Sequence, residues 1–275
     1  MVDPKVSVIA TTYNQSKDLA LYLLSLQKQT FQDFEILIAD DGSSPETREV
    51  IEAARSRFFG DRINHVWHND LGYRKSKILN AAIRQTRAGW IIFTDSDLVV
   101  NPFFIQDHLN KKAPRGLFMG RRVDLNGTVS DWIRQNPDTL FSREFYLRIL
   151  ASGSFGKFRS RNLNRAFRVA SPTFRRILKS SDVRDLLGSN FSIDRDLLFE
   201  INGFDESLEH YWGEDGDLFI RARNAGASIE GLKNYAVQFH LWHPVRAPQK
   251  DAEYIYKQNL MNQKYKRCLK GISLD

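Results

Sequence analysis

Apolar runs and amphipathic helices alternate through the first hundred residues with joins of only a few residues, and no other feature of this chain constrains its fold as much. Residues 5–12, 34–39 and 64–67 and the run Trp90-Ile91-Ile92-Phe93-Thr94 read as strands. Helices are predicted between them over 17–29, with Leu19, Leu23, Leu24 and Leu26 on the inner side, over 46–56, and over 75–85. Polar residues at 14–16 are suited to capping the first helix, and Asp40-Asp41-Gly42-Ser43-Ser44-Pro45 is a turn that opens the second. Parallel strands need crossover helices, so this order predicts an α/β fold with a doubly wound, mostly parallel sheet and helices on both faces.

Open sheets of this kind place their ligands at the carboxyl ends of the strands. The fourth run ends in Asp95-Ser96-Asp97, so its carboxylates are expected there, where such a pair calls for a cation. Oxygen ligands suit a hard divalent ion, Mg²⁺ or Mn²⁺, and that ion suits a diphosphate whose leaving charge must be neutralised. A second acidic signature, Trp212-Gly213-Glu214-Asp215-Gly216-Asp217, lies far along the chain.

Beyond the fourth strand the pattern loosens. Strands are predicted at 117–120, 187–193 and 235–239, a helix at 218–224 closed by Gly226, and a terminal helix at 251–270. The intervening stretch is helical in character without a clean repeat and reads as an insertion. The expected division is a nucleotide-binding half (1–120), a basic helical insertion (121–186), an acceptor-binding and catalytic half (187–250) and a C-terminal helix (251–275).

The net charge of +7 is concentrated in that insertion. Residues 145–181 hold nine Lys or Arg and no acid, and without them 31 basic residues face 33 acidic ones. An anionic partner is expected to meet this segment. Its aromatics include Phe145, Tyr146, Phe155, Phe158, Phe167 and Phe174; Leu163 pairs with Phe167 at helical spacing, and Phe174, Ile177 and Leu178 share a face. Short amphipathic helices on an anionic membrane surface fit this pattern, as does a lid or acceptor subsite packed on the catalytic domain. Nucleic acid is not the expected partner, since neither a stacking platform nor a recognition helix is evident. One cysteine, Cys268, no bilayer-length apolar run and no leader pattern before Val6 lead us to expect a cytoplasmic protein, peripheral on the inner face of the cell membrane at most.

The motifs resemble a known family. Val6-Ser7-Val8-Ile9 with Thr11-Thr12-Tyr13-Asn14, then Gln29-Thr30 ahead of Phe34-Glu35-Ile36, then Asp40-Asp41-Gly42-Ser43, then Asp95-Ser96-Asp97 are similar to family 2 glycosyltransferases of the GT-A fold. Gly203-Phe204-Asp205-Glu206 followed by Trp212-Gly213-Glu214-Asp215 resembles the C-terminal part of β-1,4-galactosyltransferases and chondroitin-polymerising transferases.

The resemblance implies a metal-dependent, inverting transfer of a hexose or N-acetylhexosamine from a UDP-sugar to a glycan or lipid-linked glycan, in the building of a surface polysaccharide or lipopolysaccharide. It implies that Asp41 accepts from the uracil imide, that Thr11 and Tyr13 border the nucleoside, that Asp95 reaches the ribose and that Asp97 binds the ion. Lys77 and Asn80 fall where the family lines its donor site, Lys77 to neutralise a diphosphate or Asn80 to tie down a strand carbonyl. Asp215 stands as the general base for the acceptor hydroxyl, Glu214 as a residue that holds the acceptor sugar, and Trp212 as an apolar face for a pyranose ring. His240 is the expected third ligand of the ion, in preference to His243, and an imidazole there suits Mn²⁺ better than Mg²⁺.

Two other classes remain. A nucleotidyltransferase would want a Gly-rich phosphate loop after the first strand, and Thr11-Thr12-Tyr13-Asn14 is not one. A catalytically silent sugar-nucleotide or membrane-binding subunit of a synthase would not need the complete set of Asp41, Asp95, Asp97 and Asp215, so turnover separates it from an enzyme.

Overall fold

The computed structural model describes residues 3–153, 159–183, 185–208, 213–244 and 264–273. Its first half follows the alternation: β1 (Val6–Thr12), α1 (Ser16–Gln27), β2 (Phe34–Asp40), α2 (Pro45–Ala54), β3 (Ile63–Trp67), α3 (Lys75–Arg84) and β4 (Trp90–Asp95). β1 pairs in parallel with β2 and β4, and β2 with β3. Successive side chains of a strand point to opposite faces, which explains why these runs are apolar throughout. Val8, Ala10, Ile36, Ile38, Trp90 and Ile92 enter one core with Leu19, Leu23 and Leu26 of α1. Ile9, Leu37, Ala39, Ile91 and Phe93 enter the other with Ile78, Leu79 and Ile83 of α3. Burial of each large side chain contributes about 1.5–3 kcal/mol.

The chain continues through β5 (Leu98–Val100), α4 (Phe104–Leu109), β6 (Gly116–Met119), β7 (Arg121–Asp124), α5 (Gly127–Gln135), α6 (Arg143–Ala151), α7 (Pro172–Ile177), β8 (Asn190–Asp194), α8 (Arg195–Glu200), α9 (Glu214–Asn224), β9 (Ser228–Gly231) and β10 (Val237–His240). The main sheet runs β3-β2-β1-β4-β8-β6-β9, with β8 antiparallel to both neighbours. A second sheet runs β5-β10-β7. This is the mostly parallel α/β architecture expected of a GT-A fold.

The second half departs from expectation in several places. β8 begins at Asn190 rather than at 187, because Asn190 N–H donates to the carbonyl of Leu187 at 2.9 Å and makes 187–189 a turn. α9 begins at Glu214 rather than at 218, and Gly213 before it has φ +108°. Residues 121–186 are not helical from their start: β7 pairs with β10, and α5 and α6 pack Val129, Ile133, Phe145 and Ile149 against Val99, Val123 and Phe239 in a third core. Most of the expected terminal helix lies outside the described residues, and residues 264–270 are turns and bends.

Candidate active site

Parallel pairing brings the ends of β1, β2 and β4 to one edge, with Thr11 opposite Asp95 and Thr12 opposite Asp40. Thr11 Oγ1 donates to Asp95 Oδ1 at 2.5 Å. Asp41, just past β2, accepts from the backbone N–H of Arg74 at 2.9 Å through Oδ2 and faces His68 Nε2 at 2.7 Å through Oδ1. Its neighbour Asp40 turns away to accept from the Ser43 N–H and to meet His65. Gly42, at φ +94°, lies where a Cβ would come within 2.6 Å of the Asp70 backbone, so a side chain there would force the turn open. Tyr13 Oη donates to Asp70 Oδ2 at 2.9 Å. Thr11, Tyr13, Asp41, Asp95 and Asp97 line one wall of a cleft of about 1000 Å³, and Gly188, Glu214, Asp215, His240 and His243 line the rest.

The small second sheet builds the metal-competent corner. β5 starts one residue after Asp97 and pairs antiparallel with β10, so Leu98 faces His240 and the Leu241 N–H donates to the Asp97 carbonyl at 2.9 Å. The parallel partner β7 sets Asp124 opposite His240 on the other side. Asp97 Oδ2 consequently lies 3.4 Å from His240 Nε2 and 3.0 Å from His243 Nε2, while His240 Nδ1 is 3.6 Å from Asp124 Oδ1. The two Nε2 atoms are 3.2 Å apart. Ligand atoms of Asp97, His240 and His243 all fall within 4.8 Å of one another. Asp97 Oδ1 is buried and has no hydrogen-bond partner among the described residues. Two imidazoles and a carboxylate with an unmet buried oxygen fit a divalent ion with mixed nitrogen and oxygen ligation. Burial pushes the Asp97 carboxyl up, but hydrogen bonds from His240 and His243 outweigh it and hold the group well below its usual range. Burial pulls His240 down, and Asp124 and Asp97 more than reverse it.

Asp215, at the first turn of α9, accepts from the Gly188 N–H through Oδ2 at 3.0 Å. A Cβ on Gly188 would fall 2.0 Å from that oxygen, so the close approach requires glycine. Burial and the charge of Glu214 push the Asp215 carboxyl up to about 7, against the pull of Lys75. Lys75 Nζ lies 3.4 Å from both Asp95 Oδ1 and Glu214 Oε1 and bridges the two walls. Burial disfavours its charge, yet Asp95, Asp215 and Glu214 together hold it as an ammonium. Tyr73 Oη donates to Glu214 Oε1 at 3.1 Å. Asp217, the last acid of the motif, is buried against Arg221 at 2.6 Å and takes no part in the cleft.

The structure thus collects Thr11, Tyr13, Asp41, Asp95, Asp97, Glu214, Asp215 and His240 around one cavity. It does not bring Lys77 there. Successive helical residues are about 100° apart, so Lys75 and Lys77 lie on opposite sides of α3, and the cleft takes Lys75, which a solvated face would otherwise explain. Lys77 lines a separate recess. Asn80 is buried and tied to the Phe204 backbone, donating to its carbonyl at 2.8 Å and accepting from its N–H at 3.0 Å. Trp212 lies outside the described residues. Sequence reasoning passed over Lys75, Tyr73 and Gly188 and ranked His243 below His240. The helix is predicted from residue 75, where α3 does begin, and its pattern puts Lys75 with the buried Ile78 and Leu79 more nearly than Lys77; no sequence signal marks the Gly188 contact.

Known proteins resemble the chain along most of its length. The family model described as Glycosyl transferase family 2 matches residues 7–183, and that described as N-terminal domain of galactosyltransferase matches residues 165–244. A chondroitin synthase of Escherichia coli is 26% identical over 249 residues, covering 84% of this chain and 34% of its own. A validoxylamine A glucosyltransferase of Streptomyces hygroscopicus subsp. jinggangensis (strain 5008) is 35% identical over 112 residues, covering 40% of this chain and 26% of its own. The chain therefore spans about a third of the length of the first and about a quarter of the second. Among solved structures, S. aureus TarS 1-349 in complex with UDP superposes with a TM-score of 0.61 at 20% identity, over 97% of this chain and 67% of that one. A mannosyltransferase from Pyrobaculum calidifontis in complex with GDP-Man and Mn²⁺ gives 0.57 at 17% identity, over 96% of this chain and 64% of that one.

Proposed function

The chain belongs to glycosyl transferase family 2, and from that premise we propose that it transfers a hexose or N-acetylhexosamine from a UDP-sugar to a glycan hydroxyl, with inversion, in the building of a surface polysaccharide or lipopolysaccharide. The observation that carries this reading is that Asp97, with its two histidines, and Asp215 line one cleft although far apart in sequence. The UDP and the GDP-Man and Mn²⁺ in the similar structures support a sugar-nucleotide donor and a divalent ion.

In this reading Asp41 and Tyr13 hold the nucleoside, Asp95 the ribose, and Asp97, His240 and His243 the ion. When bound, the ion supplies positive charge that stabilises the departing diphosphate. Lys75, between Asp95 and Glu214, offsets part of the negative charge of the walls and so lessens the repulsion that an anionic donor meets. Glu214, fixed by Tyr73, holds the acceptor sugar. Asp215 takes the acceptor hydroxyl's proton as its oxygen attacks the anomeric carbon and the bond to the phosphate oxygen breaks. A carboxyl held near 7 by burial is suited to that role at neutral pH.

The basic segment supports contact with an anionic membrane surface. Leu147, Leu150, Phe167, Phe174, Ile177 and Leu178 are exposed, with Arg176 and Lys179 exposed alongside. Not all of its cations are available: Arg168 is paired to Asp107 at 2.6 Å, and Arg175 is buried over the Tyr235 ring. Lys157, Phe155 and Phe158 lie outside the described residues. No helix among the described residues is long and apolar enough to cross a membrane.

The test is UDP release from a panel of UDP-sugars with Mn²⁺ present. Release that disappears in Asp97→Ala supports the enzyme, and Mn²⁺-dependent binding without release by the unaltered protein supports a silent subunit instead.

A further inference from the structure

We propose that a recess on the far side of α3 from the cleft, lined by Arg74, Ser76, Lys77 and Lys270, binds a carboxylate or phosphate carried by the acceptor glycan; this rests on the transfer reaction proposed above.

The recess has a volume of about 210 Å³ and is completed by Glu206 and Leu208. Ser76 is only 2% exposed, and its hydroxyl lacks a hydrogen-bond partner among the described residues. The Nε of Arg74 is likewise buried and without a partner among the described residues, while its Nη2 donates to the Asn69 carbonyl. Buried polar groups in folded proteins are nearly always satisfied, so two unmet donors on residues lining one small cavity indicate a group that supplies acceptors. Both residues stand at the amino end of a ten-residue helix, Arg74 as its N-cap and Ser76 in its first turn, where the backbone dipole favours negative charge. Lys77 and Lys270 add two exposed amines from segments nearly two hundred residues apart. The opposing charge is Glu206, whose Oε1 accepts from Asn80 Nδ2 at 3.0 Å. Among the described residues Lys77 and Lys270, with Arg74 shared with Asp70, outweigh that carboxylate and leave the recess positive.

Its position selects the acceptor over the donor. Tyr73 and Lys75, which alternate with Arg74 and Ser76, line the transfer cleft on the side of Glu214 and Asp215. A single helix, about 10–12 Å across, therefore separates the two cavities. An extended glycan with its end at Asp215 reaches the recess within a few sugar units, so a charged unit behind the terminal one would be read there.

The test has two arms. In the first, sodium phosphate is titrated into the whole protein while the amide resonances of Ser76 and Lys77 are followed; saturable shifts are expected, and their loss in a Lys77→Met, Lys270→Met double variant. Both lysines are exposed, so that variant keeps its fold. In the second, KM is compared for two acceptor oligosaccharides of equal length, one neutral and one bearing a uronate or phosphate. The double variant should raise KM for the charged acceptor by roughly tenfold or more, as expected for loss of charge-assisted hydrogen bonds, and leave the neutral one unchanged. Absence of saturable shifts in the unaltered protein overturns the site. Saturable shifts with no change in KM make it a site for a free anion and overturn the acceptor assignment. Failure of the transfer reading itself would register separately, as no UDP release with either acceptor.

Discussion

The donor wall of the cleft comes mainly from the ends of three adjacent parallel strands in the first hundred residues, joined at Asp97 by His240 and His243, whereas the opposite wall gathers residues 187–189 and 213–216 from separate elements. On the first wall Asp95 is held by Thr11 of the adjacent strand, and Asp41 by two partners, Arg74 and His68. On the second, Asp215 depends on one backbone N–H from a turn 27 residues away in sequence. Adjacent paired strand ends give a preassembled nucleotide site; a single backbone hydrogen bond gives a base whose placement is sensitive to single substitutions.

If that contrast holds, the largest effect should come from the second wall. Asp215→Asn keeps the shape and removes the base, and kcat should fall by about 10²–10⁴-fold while donor KM changes little. Equal losses in binding and turnover would blur the division between the walls.

Gly188→Ala is the next test. The added methyl overlaps the Asp215 carboxylate, which must move, and a displacement of about 1 Å costs on the order of 10²-fold in kcat. A variant as active as the unaltered protein would remove the glycine's role in positioning the base.

The contrast also explains what could be read beforehand. Asp41, Asp95 and Asp97 were legible because each ends or follows an apolar run whose period marks it as a buried strand. The pair Asp97 and His240 is expected from the resemblance and β10 from its apolar run, but the register that joins them runs through β5, which at three residues is too short to announce itself by periodicity. For the same reason β7 was hidden within what read as a helical insertion. Lys77 was named in place of Lys75 because the family resemblance points to it, although the helix is predicted to start where it does, at residue 75. The Gly188 approach to Asp215 is a contact between a turn and the first turn of α9 and leaves no pattern at all.

A smaller effect should follow from Lys75→Met. Burial and Glu214 raise the Asp215 carboxyl to about 7, and Lys75 lowers it. The base works deprotonated, so kcat/KM should rise with pH through about 7 in the unaltered protein. Without the ammonium the proton is held more tightly, and the rising limb should move to higher pH by about one unit or more. An unmoved limb in the pH profile would mean that the bridge between the walls has no electrostatic influence on the base.

The most direct test of the whole account is calorimetric binding of UDP with and without Mn²⁺ to three proteins: unaltered, Asp97→Ala and Asp215→Asn. The account predicts Mn²⁺-dependent UDP binding that is preserved in Asp215→Asn and abolished in Asp97→Ala. Mn²⁺-dependent binding that survives in Asp97→Ala, or disappears in Asp215→Asn, would contradict a cleft divided into a metal-and-nucleotide wall and a base wall.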